Sequence, residues 1–262
     1  MHVLQAALEQ LTILLQSDPH IRAAWLAGSL GRGDADRYSD IDLHVVLAEA
    51  DLAAFQAGVE EWLGAWRPLV LCNLLFDGKM VNALTADGVR IDLWPHTEER
   101  ISLQPGKGRV LHDPAGLIHF DLAPVAPDER AIAAGLEAQI KEFWRCIALT
   151  PVVLGRDEKI VAFQGLSVEV GLLTNILIAG GRIERDAGVK KLNRFLPEQA
   201  RVAIEQALAL DGLTIASLAR AHLALAQIVA EHGPAIAASH GFAYPSALEA
   251  AVLRFVHAEI GA

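Results

Sequence analysis

Cysteine is scarce in this chain, which has only Cys72 and Cys146 among its 262 residues, both in apolar surroundings. Two such thiols provide neither a disulfide framework nor a metal-ligand spacing, so we expect free, buried thiols in a reducing compartment. The first residues, Met1–Gln16, lack the basic start and the small-residue cleavage site of a signal peptide and are expected to form an amphipathic helix. No apolar run is expected to be long enough to cross a bilayer. The predicted location is therefore the cytoplasm, without a membrane partner.

Positive charge is also scarce. The chain has 22 Lys and Arg against 32 Asp and Glu, which gives a formal net charge of −10. A protein that holds a nucleic-acid backbone normally carries a basic stripe, and none is visible, so no nucleic-acid partner is expected. Acidic clefts concentrate positive ligands, and the charge balance therefore favours a small or cationic ligand. Nothing in the sequence indicates the oligomeric state.

Apolar residues make up 53% of the chain, enough for a folded globular protein. The apolar period changes from two to 3.6 along the first ~95 residues, whereas the last half is rich in Ala and Leu and reads as helical. We therefore expect an α+β protein with a mixed sheet. Its predicted parts are an α/β domain (residues 1–97), a connecting segment rich in Pro and Gly (98–127) and an all-helical domain (128–262).

The periodicity and the turn signals also predict individual elements. Besides the N-terminal helix, five strands and one further helix are expected in the first domain: Ile21–Ala27, Asp40–Ala48, helix Leu52–Trp66, Leu69–Phe76, Met80–Ala86 and Val89–Trp94. Five helices are expected in the second: Asp128–Leu149, Thr150–Ala179, Pro197–Leu210, Thr214–Glu231 and Tyr244–Glu259.

The segment with chemical content runs from Gly28-Ser29, through Arg32-Gly33, to Ser39-Asp40-Ile41-Asp42-Leu43. Gly28-Ser29 follows the first strand, where a phosphate can approach the backbone at a helix start. Asp40 and Asp42 are two residues apart on a strand, so both project from one face, roughly 6–7 Å apart. Two such carboxylates repel each other, and a divalent cation such as Mg²⁺ removes that cost. If the Asp-x-Asp pattern is taken alone, the alternative to a metal site is an Asp-rich turn whose carboxylates are solvated.

Together these residues resemble the signature of the DNA polymerase beta-like nucleotidyltransferase superfamily, a Gly-Ser pair followed about ten residues later by Asp-x-Asp. The version with Arg-Gly in between and Ser-Asp-Ile-Asp-Leu at the end resembles a small bacterial branch that includes aminoglycoside and lincosamide nucleotidyltransferases. The superfamily takes a third carboxylate from a later strand, and Asp92 in Val89-Arg90-Ile91-Asp92-Leu93-Trp94 matches it.

The resemblance implies transfer of a nucleoside monophosphate, AMP in particular, from an NTP to an acceptor hydroxyl, with release of pyrophosphate. Two Mg²⁺ ions are implied: Asp40, Asp42 and Asp92 would hold the ion at the attacking hydroxyl, and Asp40 and Asp42 the ion on the triphosphate. Gly28 and Ser29 would then cradle the outer phosphates.

Residues outside the motif are less tightly specified. Arg32 is a candidate phosphate ligand, and the alternative is that it ties the loop to Asp36. Lys190 and Lys191 are candidates for binding the triphosphate, and the alternative is a solvated lysine pair. Glu142 and Glu169 are candidates for a general base on the helical domain, or else solvated glutamates. We expect the acceptor to bind in a cleft between the two domains, with both glutamates on its helical wall. His44 shares the face of Asp40 and Asp42 but is expected to lie too far along the strand.

The motif indicates only the binding of the NTP and the metal, so it does not identify the acceptor. A small molecule, such as an aminoglycoside or lincosamide antibiotic, is the first hypothesis. Transfer of AMP to a protein or an RNA end is the second. A non-catalytic nucleotide-binding or antitoxin-like module is the third, and it is disfavoured because all three carboxylates are present.

Overall fold

The computed structural model describes residues 2–185 and 189–260 of the chain. The chain divides into two compact units, Met1–Val125 and Ala126–Ala262. The first unit contains a mixed sheet and the second is helical, so the predicted fold class is confirmed. The segment 98–127, predicted as a connection, mostly belongs to the first unit, because its residues Arg109–His112 pair with the first strand. A catalytic role for the first unit and a substrate-binding role for the second stay predictions.

The first unit is built from three α-helices, one short 3-10 helix (Glu49–Asp51) and eight strands within the described residues. In chain order they are α1 (His2–Ser17), β1 (Ala23–Leu26), α2 (Gly28–Arg32), β2 (Ile41–Val46), α3 (Leu52–Trp66), β3 (Leu69–Leu75), β4 (Met80–Thr85), β5 (Arg90–His96), β6 (Ile101–Ser102), β7 (Arg109–His112) and β8 (Ile118–His119). The predicted elements are all present, with ends that differ by one or two residues; Met1, at the start of the first predicted helix, lies outside the described residues.

Six strands form one sheet in the order β3-β4-β5-β2-β1-β7, and β6 pairs with β8 in a second, two-stranded sheet. Within the main sheet β2 and β5 are parallel and all other pairs are antiparallel. Because side chains alternate between the faces of a strand, Ile41, Leu43 and Val45 of β2 are fully buried on one face. They pack there with apolar residues of α1 and α3. The opposite face of β2 and β5 is left for polar side chains.

The second unit consists of six α-helices within the described residues. They are α4 (Glu129–Ile147), α5 (Thr150–Gly155), α6 (Lys159–Gly180), α7 (Glu198–Ala207), α8 (Ile215–His240) and α9 (Ser246–Ile260). One apolar core joins them, with Phe143 and Trp144 of α4 completely buried in it. The indole N–H of Trp144 donates to the Tyr244 hydroxyl at 3.0 Å, which fixes the start of α9 against α4. This aromatic pair is thus part of the helical core.

Two expectations for this unit are corrected, and a further finding concerns α6. The single helix predicted over Thr150–Ala179 is divided into α5 and α6, because Asp157 adopts a left-handed backbone conformation with φ 59°. Helix α8 continues through Pro234 to His240 instead of ending at Glu231. Helix α6 has the length and the hydropathy, 1.6 over 18 residues, of a membrane-spanning helix, although none was expected. Several of its residues, among them Leu173 and Ile176, are buried in the helical core.

Both cysteines are free thiols, as expected, but they are half-buried rather than fully enclosed. Cys72 lies on the edge strand β3 and Cys146 on α4. Burial raises the pKa of each thiol, so both are protonated at neutral pH.

The core of the helical unit encloses one ionisable pair. Glu169 on α6 and His222 on α8 are 1% and 2% exposed, and the His222 Nδ1 atom lies 2.7 Å from a carboxylate oxygen of Glu169. Burial raises the pKa of Glu169, and the hydrogen bond with His222 opposes that effect. Removing one partner of such a pair leaves the other without compensation in an apolar interior, which is strongly destabilising.

We predict that His222→Leu lowers the free energy of unfolding by about 3–5 kcal/mol, because the Glu169 carboxyl loses its hydrogen bond without access to water. Urea unfolding followed by circular dichroism measures this. Replacing both residues by Leu should restore much of the loss, since no unpaired polar group then remains. Arg201→Ala, which breaks an exposed pair with Glu205 on α7, serves as the control and should cost less than about 0.5 kcal/mol. A His222→Leu protein as stable as this control would contradict the assigned role.

Candidate active site

The connection between β1 and α2 is fixed by backbone contacts with β2. The Ala27 N–H donates to the Asp42 carbonyl at 2.9 Å, which continues the strand pairing up to the start of α2. Gly28 then adopts a left-handed conformation with φ +55°. The short helix ends at Gly33, also left-handed, and the carbonyl of Ser29 accepts from the N–H groups of Gly33 and Asp34. The Gly-Ser turn is therefore held rigidly beside β2.

Gly28 is required at this turn for a second, steric reason. A Cβ atom placed on Gly28 would lie 1.8 Å from the Oδ2 atom of Asp42. No side chain fits into that distance, and the positive φ independently disfavours other residues. The carboxylate of Asp42 therefore lies directly over the backbone of the Gly-Ser turn.

Asp40, Asp42 and Asp92 come together at the polar face of the sheet. Asp42 and Asp92 are directly opposite each other in the parallel pairing of β2 with β5, and Asp40 immediately precedes β2. One carboxylate oxygen from each of the three lies within 4.8 Å of the other two. All three side chains are half-buried, so water screens their mutual repulsion only in part. Three carboxylates around one point are the donor set that Mg²⁺ prefers, and the residues present therefore fit a divalent cation.

Asn82 extends this row of polar side chains onto a third strand. It is opposite Asp92 in the antiparallel pairing of β4 with β5, and its Nδ2 atom donates to the Oδ1 atom of Asp92 at 2.6 Å. The bond fixes the orientation of the Asp92 carboxylate, as outer-shell partners of metal ligands commonly do. Asn82 was not predicted as a site residue from the sequence, although the register of the hairpin that turns at Asp87-Gly88 places it beside Asp92.

An aromatic row follows two residues further along the same strands. Trp25, His44 and Trp94 are directly opposite one another on β1, β2 and β5. The ring of His44 stacks on Trp25 with centroids 4.7 Å apart, and its Nδ1 atom lies 2.8 Å from the Nε2 atom of His96. Burial lowers the pKa of His96, and burial together with the neighbouring His96 lowers that of His44 to about 4, so both rings are neutral at pH 7. His44 thus lies in the row beyond the carboxylates, in agreement with the sequence analysis.

A cavity of about 420 Å³ opens on this face of the first unit. It is lined by Trp25, Ala27, His44, His96, Glu98, Arg100, Ile101, Ser102, Leu103 and Lys107. It extends from Ala27, the residue before the Gly-Ser turn, to the histidine pair.

Arg32 is the one further predicted site residue that shares the Gly-Ser turn. On α2 its guanidinium lies 3.2 Å from the carboxylate of Asp34, and both roles considered for it, a phosphate ligand or a tie to Asp36, stay predictions.

The remaining predicted site residues belong to the helical unit. Glu142 is exposed on α4 and forms a two-pronged pair with Arg145, which lowers the pKa of its carboxyl. Glu169 was expected on the wall of a cleft, but it is enclosed in the helical core with His222. Lys190 and Lys191 lie in a single turn of 3-10 helix, Val189–Lys191. The roles predicted for Glu142, Lys190 and Lys191 stay predictions, whereas the core position of Glu169 does not suit the place on a cleft wall predicted for it.

A comparison with family models decides the class of the first unit. Residues 8–103 match the model described as "Nucleotidyltransferase domain". These residues include the Gly-Ser turn, all three aspartates and Asn82. Residues 8–103 form a nucleotidyltransferase domain of the DNA polymerase beta-like superfamily. The predicted resemblance is thereby confirmed, and NTP is the implied substrate.

The solved structures that are similar to this chain share little sequence with it. An aminoglycoside 6-adenyltransferase from Bacillus subtilis has 12% identity and a TM-score of 0.45, with 98% of this chain and 99% of that chain covered. A nucleotidyltransferase-like protein from Exiguobacterium sibiricum has 10% identity and a TM-score of 0.38, with 90% and 78% covered. No curated protein matches the chain. Likenesses this weak do not identify an acceptor.

We predict that Gly28→Ala abolishes binding of a divalent cation at the three aspartates, because its Cβ would displace the Asp42 carboxylate. Titration with Mn²⁺, followed by calorimetry, measures the affinity. Gly33→Ala is the matched control: its φ is also positive, at +83°, but a Cβ there would meet nothing within 4 Å. Both variants share the backbone strain, and only Gly28→Ala should lose the ion. Equal Mn²⁺ affinities in the two variants would show that the Gly28 turn does not position Asp42 for a metal.

Proposed function

We propose that this protein transfers a nucleoside monophosphate, AMP in particular, from the Mg²⁺ complex of an NTP to a hydroxyl group of a small molecule, releasing pyrophosphate. The observation that carries the proposal is the meeting of Asp40, Asp42 and Asp92 within 4.8 Å, in a domain of the nucleotidyltransferase family. A module that only binds nucleotide has no need of the third carboxylate.

The proposed reaction is a displacement at the α-phosphorus. The acceptor oxygen forms a bond to that phosphorus, and the bond from the α-phosphorus to the oxygen bridging to the β-phosphate breaks. Pyrophosphate leaves with the electron pair of that bond, and the hydroxyl proton passes to a general base. Bound at the carboxylates, Mg²⁺ would supply charge neutralisation and a lowered pKa for the acceptor hydroxyl, with two ions proposed from the superfamily. The ligands proposed are Asp40 and Asp42 for both ions, and Asp92 for the ion at the acceptor alone.

The contribution of the chain itself is chiefly positioning. The rigid Gly-Ser turn holds the triphosphate, in this proposal, through Ser29 and the backbone N–H groups around Gly28. Asn82 holds the Asp92 carboxylate in one orientation through its 2.6 Å hydrogen bond. Holding two reactants in line contributes roughly 7–11 kcal/mol to lowering a barrier, so fixed groups of this kind account for much of the catalysis.

The acceptor proposed is a small and cationic molecule, with an aminoglycoside as the first candidate and a lincosamide as the second. This part of the proposal is supported by the motif version Ser39-Asp40-Ile41-Asp42-Leu43 and by the net charge of −10, which favours a positive ligand. Glu142 is the remaining candidate for a general base, because Glu169 is enclosed. We also propose that the protein is located in the cytoplasm and that the reaction contributes to antibiotic resistance.

A screen of NTPs against acceptors for Mg²⁺-dependent pyrophosphate release tests the function. The expected result is release that requires one NTP, Mg²⁺ and a hydroxyl-bearing small molecule, with a product heavier by one nucleoside monophosphate. Release that requires a protein or an RNA end would move the acceptor to those classes. No release with any NTP and any of these acceptors would refute the proposed activity.

We predict that Asp40→Asn and Asp42→Asn each reduce kcat/KM for the transfer by more than about 100-fold. Loss of an outer-shell partner alone costs about 10–100-fold, and these residues are proposed as the ligands themselves. Asp92→Asn should reduce kcat and leave NTP binding nearly unchanged, because it is proposed to hold only the ion at the acceptor. The readouts are steady-state kinetics and equilibrium NTP binding.

Asp77→Asn is the control for these variants, because this exposed acid lies in the β3–β4 turn of the same unit and Asn tolerates its positive φ of 55°. Unfolding curves of all four proteins should nearly coincide, since the removal of repelling acids without metal costs little stability. Near-normal turnover in Asp40→Asn or Asp42→Asn would overturn the assignment. If Asp92→Asn weakens NTP binding and keeps the maximal rate, the two ion sites are interchanged.

A further inference from the structure

Lys107 lies on a short loop, Gln104–Gly108, whose backbone is packed against β1 and α2. The Lys107 N–H donates to the Gln104 carbonyl at 3.1 Å, and Gly106 adopts φ +75°. A Cβ atom on Gly31 of α2 would lie 3.2 Å from the carbonyl oxygen of Lys107, and one on Gly108 would lie 3.3 Å from the Trp25 ring. The loop therefore approaches both neighbours as closely as the glycines allow, and this contact fixes the position of Lys107.

Lys107 is half-buried and lines the cavity together with Ala27, which precedes the Gly-Ser turn. Of the two other charged residues of the lining, Arg100 is paired with Asp121, whereas Glu98 accepts a hydrogen bond from the Thr97 N–H and lies 3.5 Å from the neutral ring of His96. No carboxylate in the described part of the chain pairs with Lys107. A partly desolvated ammonium group without a counter-ion is a binding group for an anion that enters the cavity.

The charge balance at the carboxylates indicates which anion an additional cationic group would stabilise. Three aspartates and a triphosphate together carry more negative charge than two divalent ions neutralise, and the chain itself has a net charge of −10. Arg32, the cation predicted for the phosphates in this unit, is engaged with Asp34. A further fixed cation beside the Gly-Ser turn lowers the electrostatic cost of holding the triphosphate there.

We propose that Lys107 binds the outer phosphates of the NTP from the cavity side of the Gly-Ser turn. This inference rests on the proposed function and names the phosphate-binding cation of that site. Gly108 gives the loop its close approach to β1, and the lysine supplies a point charge to the phosphate oxygens.

The proposal is tested by equilibrium binding to the full chain in the presence of Mg²⁺, with ATP, inorganic tripolyphosphate and adenosine as separate probes. Lys107→Ala should weaken the binding of ATP and of tripolyphosphate by a similar factor of about tenfold or more, because a charge-assisted hydrogen bond is lost from both. Adenosine binding should not change. Lys107→Arg should retain most of the affinity for both phosphate probes, since it keeps the charge.

Lys79→Ala is the matched control, since it removes the same charge from an exposed position in the β3–β4 turn. If Lys107→Ala binds tripolyphosphate and ATP as tightly as Lys79→Ala does, the proposal is overturned. It is also overturned if ATP binding weakens while tripolyphosphate binding does not, because Lys107 would then act on the nucleoside. Failure of the proposed function is a separate result: the wild-type chain would release no pyrophosphate, whether or not tripolyphosphate binding depends on Lys107.

Discussion

The mutual repulsion of three carboxylates is the interaction around which the first unit is arranged. The parallel pairing of β2 with β5 places Asp42 opposite Asp92, and their oxygens lie within 4.8 Å of each other and of Asp40. Nothing in that contact stabilises the fold, so the register must be held by other residues. The buried side chains of the opposite face, such as Ile41, Leu43 and Ile91, provide this by packing on α1 and α3. A slip by one residue would exchange the two faces and expose that core, which is why the carboxylates remain together.

The same register organises the rest of the polar face. Asn82, on the strand beyond Asp92, continues the carboxylate row and orients Asp92 by a hydrogen bond. Two residues further along, Trp25, His44 and Trp94 form the aromatic row that borders the cavity. The Gly-Ser turn closes the other side, with Asp42 so near Gly28 that a Cβ atom has no space. Catalysis by such a site depends on rigid positioning of the reacting groups, and each of these neighbours restricts the movement of one part of the site.

The fold class and the carboxylates were accessible from the sequence because both have local signals: alternating apolar residues on β2, and a motif within sixteen residues that recurs in a known superfamily. What the sequence did not reveal depends on pairs that are distant along the chain. Glu169 reads as a polar residue on an apolar helix, and only packing brings it to His222, 53 residues later. Lys107 lies between glycines that read as a plain turn, and its relation to the Gly-Ser turn follows from the close contact with Gly31. The break between α5 and α6 depends on one residue in the left-handed conformation, Asp157, and the composition of this segment does not indicate that the helix is interrupted there.

The central claim is that these carboxylates bind the divalent cations of an NTP complex. A crystal structure of the full chain, grown with Mn²⁺ and an NTP analogue that cannot be cleaved between the α- and β-phosphates, tests it most directly, because Mn²⁺ is located by its anomalous scattering. The account predicts anomalous peaks within metal-ligand distance of Asp40, Asp42 and Asp92, with the triphosphate along the Gly-Ser turn. Mn²⁺ bound elsewhere while all three carboxylates remain without an ion, or a triphosphate away from this turn, would contradict it.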